Sequence, residues 1–562
     1  MATLVSKIHP KKYFIFSIIS FLSISFLFIE AQGSLLSTNF QLFNSSANRV
    51  CESLRRLKNY KSICSFLRSH NPCVSQGFLD YLYLFYCICG RWPLLGYFLL
   101  SLWLIVLFYL LGNTASEYLC SSLESLSRVL KLSPAIAGVT LLSLGNGAPD
   151  GFASLVSFTG TGARRVGLNS VVGGALFVSC VVVGLISTFM RPHQSSIDKS
   201  DFVRDICFLL LGVLSLTSIV IIGKINLWGA VAFVSLYFFY VFLVYFMYLR
   251  RRKDTEDFGM DSCGELRIPI LPDCEKEVIC VGRDDLEGNC QKETGCRCFC
   301  FNSSASFGKL LYIVGLPLYL PRRLTIPVVS EERWSKPFAV ASVTVAPVLL
   351  AALWNSEKGT MGSKAGLVVY IIGGLLGITF GILASLTTEK ASPPTKCIFL
   401  WLAGGFLMSI TWSYIIAQEL IGLLISVGYL FGVSPSILGL TVLAWGNSLG
   451  DLVTNCTMAV NGGSDGVQVA ISGCYAGPTF NTLVGLGMSL VVSSWKAYPS
   501  SVLIPTDPFL LETLALLVAG LVWALVILPK RNMKVDGFLG SGLLAIYLVS
   551  ISLRVIQALA ST

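Results

Sequence analysis

The sequence predicts an all-α, polytopic membrane protein built on two inverted repeats. Of its 562 residues, 54% are hydrophobic and 13% charged, with mean hydropathy +0.72. Soluble domains carry about 25% charged residues, so a soluble globular enzyme is excluded. Apolar runs recur at about 20 residues, the length that spans a bilayer's hydrocarbon core. One stretch of 18 residues occurs twice, 301 positions apart. The net charge of +10 sits mostly in connecting loops, where it reports topology rather than nucleic-acid binding.

Lys7, Lys11 and Lys12 precede an apolar stretch, Phe14 to Ile29, and then Glu30-Ala31-Gln32-Gly33-Ser34. A basic head, a short apolar centre and small residues describe a signal peptide over residues 1–33, or an uncleaved signal anchor. Residues 34–92 follow as an extracytosolic segment holding Cys51, Cys64, Cys73, Cys87, Cys89 and a glycosylation sequon at Asn44. In an oxidising compartment these cysteines predict one or two disulfides of open connectivity. Seven more cysteines lie between Cys263 and Cys300, in a stretch expected to face the cytoplasm, where free thiols are the simplest expectation.

Spans are expected near 93–119, 132–159, 167–190, 204–222 and 227–248, then 338–354 and 366–387, then 397–426, 434–460, 467–494, 508–528 and 537–558. The resulting domains are a first transmembrane repeat (93–248), a cytoplasmic loop (249–337), two linking helices (338–396) and a second repeat (397–562). Starting outside, this count leaves Arg250-Arg251-Arg252-Lys253 in the cytoplasm, as the positive-inside rule requires, with Arg164, Arg165, Lys224 and Lys496 as exceptions.

The repeated stretch is Ser133 to Asp150 against Ser434 to Asp451, nine of 18 positions identical without a gap. Shared Ser-Pro, Gly, Thr, Gly-Asn and a closing Asp in register exceed what common composition produces. Downstream, Gly173-Gly174-Ala175-Leu176-Phe177 pairs with Ala476-Gly477-Pro478-Thr479-Phe480. The two copies cross in opposite directions. Inverted repeats with Gly- and Pro-interrupted helices mark secondary transporters that bind substrate at the midplane.

Asp150 and Asp451 lie inside apolar spans, where a carboxylate costs about 2.5–3.5 kcal/mol and needs a countercharge. No Lys or Arg lies within ten residues of either, so a bound cation is expected, with both aspartates as metal ligands. Carboxylates with neutral oxygens suit a hard divalent cation such as Ca2+. Asn146 and Asn447 stand four residues before each Asp, on the same helical face; Ser143, Ser448 and Asn481 are further donors, or alternatively helix-bridging polar residues. Glu117 and Glu419 fall near span ends and are assigned to the interface.

At these residues the sequence resembles the cation/Ca2+ antiporter superfamily. Gly145-Asn146-Gly147-Ala148-Pro149-Asp150 and Gly446-Asn447-Ser448-Leu449-Gly450-Asp451 are similar to the two alpha-repeat motifs of its cation/calcium exchanger branch. That branch includes plant cation/calcium exchangers and the animal mitochondrial sodium/calcium/lithium exchanger. The resemblance extends through Asp80 to Cys87 and is strongest to the plant branch. It implies inverted five-helix repeats forming a ten-helix antiporter core, plus about two extra transmembrane helices. It implies Asp150 and Asp451 as acidic ligands with Asn146 and Asn447 beside them. Relatives carry a Gly-Ser-x-x-Phe-like stretch and then a polar residue on the third helix of each repeat. Here Gly174 and Gly477 replace the Ser, and Val178 stands where the second repeat has Asn481. The implied activity is exchange of Ca2+, Na+ or K+ across a membrane, with H+ as an alternative counter-ion, without enzymatic chemistry or a cofactor. The expected partners are the transported cations and the bilayer, in the cell membrane first and the vacuolar or endoplasmic reticulum membrane as alternatives.

A cation channel is the rival reading, since polar midplane groups also line pores. An intramembrane aspartyl protease fits less well: Ser448-Leu449-Gly450-Asp451 lacks the first Gly of that pattern, and Asp150 follows Pro149.

Overall fold

A long apolar run in hydrocarbon must satisfy every backbone group within itself, and a helix does so. The computed structural model describes residues 60–69, 77–122, 125, 143–159, 164–189, 197–257, 318–329, 333–357, 362–390, 392–394, 398–461 and 463–561. Residues 1–33, Asn44, Cys51, Cys73 and the Cys263–Cys300 cluster lie outside the described residues.

The helices in chain order are α1 (Tyr60–Ser69), α2 (Tyr81–Tyr83, continued by a π-helical stretch Leu84–Ile88) and α3 (Pro93–Thr114, continued by a π stretch Ala115–Cys120). Next come α4 (Ser143–Thr159), α5 (Arg164–Leu176, π stretch Phe177–Val182, then Val183–Phe189), α6 (Lys199–Ile222) and α7 (Leu227–Asp257). The linking pair is α8 (Lys336–Glu357) and α9 (Lys364–Thr387). The second repeat comprises α10 (Ile398–Phe431), α11 (Pro435–Leu438, π stretch Gly439–Leu443, then Ala444–Asn461), α12 (Gly463–Phe480, π stretch Asn481–Leu486, then Gly487–Ala497), α13 (Pro508–Lys530) and α14 (Gly537–Ser561).

Helices α3 to α14 reproduce the expected five, two and five. Among the described residues, ten helices are long and apolar enough to cross a membrane. The two core helices outside that set are α4 and α12, which carry Asp150 and Asn481. Helix α6 starts at Lys199 rather than 204 because the Asp198 side chain caps it, accepting from the N–H groups of Ser200 and Asp201.

The repeats interlock through matched contacts. Asn169, on α5, donates to the carboxylate of Asp507 at 3.4 Å, the residue that caps α13. Gln468, on α12, accepts the backbone N–H of Asp198 at 2.8 Å, the residue that caps α6. A short antiparallel pair, β1 (Lys224–Ile225) with β2 (Val502–Leu503), joins the connection before α7 to the one before α13. One large apolar core lies among α5, α6, α7, α12, α13 and α14, and a second among α3, α4 and α10.

Two segments outside the repeats brace the first helices, α3 and α10. In the first, Cys64 and Cys87 form a disulfide that staples α1 to α2, while Cys89 is a buried free thiol. Tyr81 donates its hydroxyl to Glu419 of α10 at 2.5 Å and accepts from Trp103 of α3 at 3.1 Å; Phe78 N–H also donates to Glu419. Glu419 is therefore buried and fully engaged, not interfacial; the residues that bury it come from 338 or more positions away and left no signal beside it. Burial, reinforced by the Glu419 carboxylate, pushes the Tyr81 phenol well above its ordinary pKa. In the second brace, buried Arg322 donates to Asn113 at 2.7 Å and Thr114 at 3.0 Å of α3, and Thr325 accepts from Trp412 of α10 at 2.7 Å. Glu117 is half-buried and pairs with Arg333 at 3.3 Å.

Candidate cation site

The site forms where α4 and α5 of the first repeat meet α11 and α12 of the second. Pro149 and Pro478 interrupt α4 and α12, each removing one intrahelical donor and freeing a carbonyl one turn back. The π stretches of α5 and α12 begin within one residue of equivalent places, at Phe177 and Asn481, beside the site. Such stretches displace one residue out of the helical ladder and often sit at functional sites. Helices α4 and α12 approach closely because glycine meets glycine: a Cβ on Gly485 would stand 3.2 Å from the Cα of Gly151.

Asp150 and Asp451 are 4% and 5% exposed. Asn447 Nδ2 donates to Asp150 Oδ1 and Asn481 Nδ2 donates to Asp150 Oδ2, both at 2.9 Å. Both donors come from the second repeat, so the first repeat's carboxylate is held by its partner repeat. The helical spacing places Asn447 on the same face as Asp451, yet its amide serves Asp150 across the crossing. The Asp451 carboxylate receives no hydrogen bond from a described side chain; its backbone carbonyl accepts from Asn455 at 2.9 Å.

Among the described residues, the buried side-chain oxygens without a hydrogen-bond partner include Asn447 Oδ1, Asn481 Oδ1 and Ser448 Oγ. No Lys, Arg or His pairs with either aspartate among the described residues. An unmade hydrogen bond on a buried oxygen costs about 1–3 kcal/mol, and two uncompensated carboxylates cost more. Carboxylates and unpartnered neutral oxygens are the kinds of donor that a hard cation takes.

Of the expected residues, Asp150, Asp451, Asn447, Ser448 and Asn481 are thus drawn to one buried locus. Ser143 and Asn146 lie on α4, with side chains outside the description. Asn455 was missed. Its signal was available: it stands four residues after Asp451, on the same face, and its counterpart at the 301 offset is Ser154, which is also fully buried.

Residues 100–246 and 401–556 match the sodium/calcium exchanger protein family, one stretch in each repeat. The chain is 55% identical to cation/calcium exchanger 2 of Arabidopsis thaliana over 513 residues, covering 90% of this chain and 91% of that one. It is 31% identical to the mitochondrial sodium/calcium exchanger protein of Rattus norvegicus over 547 residues, 90% and 89% of the two chains. Among solved structures, the crystal structure of the H+/Ca2+ exchanger CAX aligns over 82% of this chain and 87% of that chain, at 14% identity and a TM-score of 0.39.

Proposed function

Because this chain belongs to the sodium/calcium exchanger protein family, we propose that it is a secondary active antiporter moving Ca2+ across a membrane against Na+, K+ or H+. The observation that carries the reading is the pair of buried aspartates from opposite repeats, with three unpartnered oxygens on the helices around them and no cationic side chain pairing with them among the described residues. Asp150 and Asp451 are the charged ligands; Asn447, Ser448 and Asn481 supply neutral oxygens, and the repeat assigns Asn146 and Ser143 to the matching half.

The mechanism follows from where the ligands are anchored. A cation held by both aspartates neutralises the site and ties α4 to α11 and α12. The occupied site then exchanges between the two membrane faces by rocking one set of helices against the other. The empty site carries two negative charges in a low dielectric and crosses poorly. Protonation of one aspartate removes one of those charges, which is the route by which H+ would couple.

The Cys64–Cys87 disulfide supports an extracytosolic placement of residues 34–92, since such bonds persist in oxidising compartments. Five crossings then leave the loop 249–337 in the cytoplasm. A signal peptide or anchor at residues 1–33 and a glycan at Asn44 fit entry through the secretory pathway and residence in the cell membrane, with the vacuolar and endoplasmic reticulum membranes as alternatives.

The test is Ca2+ uptake into proteoliposomes preloaded in turn with Na+, K+ or H+, for wild type, Asp150→Asn and Asp451→Asn. Uptake that needs a trans cation and is lost in both variants is expected. Normal exchange in correctly inserted variants would remove the site assignment, and uptake with nothing on the far side would establish a channel instead.

A further inference from the structure

The repeats cross twice at the site, and the two crossings use different residues at equivalent positions. In one, α4 lies against α12; in the other, α11 lies against α5. Gly147 on α4 and Ser448 on α11 are equivalents at the 301 offset. On the facing helices, Gly174 and Val178 of α5 match Gly477 and Asn481 of α12 at an offset of 303.

At the first crossing, a Cβ on Gly147 would overlap the Oδ1 of Asn481 and stand 3.0 Å from both Asn481 Cγ and Phe480 Cδ1. The missing side chain of Gly147 is therefore the slot that the Asn481 amide occupies. At the second crossing the oxygen comes from the other helix. A Cβ on Gly174 would stand 3.2 Å from Ser448 Oγ and 3.4 Å from Asp150 Oδ2, so Gly174 leaves the room that Ser448 and Asp150 share. Gly477, which has only Gly147 at the position matching Ser448, faces open space, with no atom within 4 Å of its would-be Cβ. Each crossing thus holds one neutral side-chain oxygen and one vacated position opposite it. Both oxygens, Asn481 Oδ1 and Ser448 Oγ, are buried without a hydrogen-bond partner.

We propose that the two crossings obey one steric rule: one oxygen donor each, seated against a glycine on the facing helix, with Gly147 against its equivalent Ser448 deciding which helix delivers the donor. Gly147 with Asn481, and Ser448 with Gly174 and Val178, are then alternative solutions of the same local packing. The glycines are positioning residues, acting through the donors rather than on the cation. This rests on the reading of Asp150 and Asp451 as the cation site.

The rule predicts a rescue. In Ca2+-uptake assays on reconstituted protein, Gly147→Ser drives a hydroxymethyl group into the Asn481 amide, and Asn481→Val removes the oxygen from that crossing. Each single variant is expected to lower uptake per inserted protein about tenfold or more. The double variant Gly147→Ser/Asn481→Val rebuilds the serine–valine combination of the other crossing and is expected to return to within about threefold of wild type, a non-additivity that residues in contact show. Ca2+-dependent thermal shift of the solubilised protein gives a second readout that needs no transport. If Gly147→Ser alone does not yield folded protein, recovery of folded, Ca2+-shifted protein on adding Asn481→Val is the expected result. A double variant no better than the worse single, or full uptake by Gly147→Ser, overturns the rule. Asp150→Asn run alongside separates the two failures: if it is inactive and the rescue fails, the site stands and the rule falls; if it exchanges normally, both fall.

Discussion

Asp150 and Asp451 occupy equivalent positions in the two repeats and are held in different ways. Asp150 accepts two amide N–H groups from the second repeat, one on each carboxylate oxygen. The Asp451 carboxylate accepts none from a described side chain, and the Asn455 amide donates to its backbone carbonyl. Duplication preserved the helices and the acidic positions while the side chains around them diverged. In the proposed antiporter, a cation held between the two would meet one carboxylate already oriented by the protein and one whose electron pairs are less committed. The same asymmetry recurs at the braces: in α10, Glu419 accepts two donors from residues 78 and 81, whereas its counterpart in α3, Tyr118, keeps a buried hydroxyl without a hydrogen-bond partner beneath the Arg322 guanidinium, 5.7 Å from its ring.

The largest effect tests whether the aspartates share one function despite this difference. Asp150→Asn and Asp451→Asn should each abolish exchange, read as Ca2+ uptake at saturating substrate; retained uptake in Asp451→Asn would make the first repeat alone sufficient. Next, Asn447→Ala and Asn481→Ala should each raise the Ca2+ concentration for half-maximal uptake by about 10-fold or more, from loss of a charge-assisted hydrogen bond worth about 1.5–3 kcal/mol and of a ligand oxygen. Asn455→Ala, which touches only backbone, should move it by about threefold or less. Equal shifts in all three would remove the distinction between the halves.

At the braces the readout is stability. Glu419→Ala strands Tyr81 O–H and Phe78 N–H without an acceptor and should cost about 2 kcal/mol, seen as a lower midpoint of thermal unfolding and earlier proteolytic nicking near residue 78. Tyr118→Phe removes a hydroxyl that has no partner and should be neutral or stabilising. Smallest is the contrast of two neighbouring glycines on α11. Gly446→Ala would push a methyl group into the ring of Phe108 and should cost about 1–3 kcal/mol, as overpacking does. Gly450→Ala meets nothing within 4 Å and should stay within about 0.5 kcal/mol of wild type. A tolerated Gly446→Ala would show that the α3–α11 contact is looser than its geometry.

Much of this architecture was legible in the chain. The all-α membrane class and the order of the helices, ten of which are long and apolar enough to cross a membrane among the described residues, follow from apolar run length, because the bilayer imposes length and closed backbone bonding on each span separately. Span edges were less legible where a polar residue caps the helix, as Asp198 does for α6. The disulfide was expected from composition, but its partners, Cys64 and Cys87, depend on how α1 folds onto α2. Glu419 was misassigned to the interface because the groups that bury it come from the far end of the sequence.

What the sequence alone determined is the set of groups that must be reconciled inside the membrane: two carboxylates, their amide and hydroxyl neighbours, and no cationic side chain near them. Those follow from residue identity and span length, which are local. What only the tertiary structure decided is the pairing across repeats. Helical spacing puts Asn447 on the face of Asp451, yet the crossing of α4 with α11 and α12 delivers its amide, and that of Asn481, to Asp150. Contacts between elements some 300 residues apart depend on crossing angle and on which positions are glycine, as at Gly147 and Gly174. Periodicity along one helix carries no record of what the opposite helix presents.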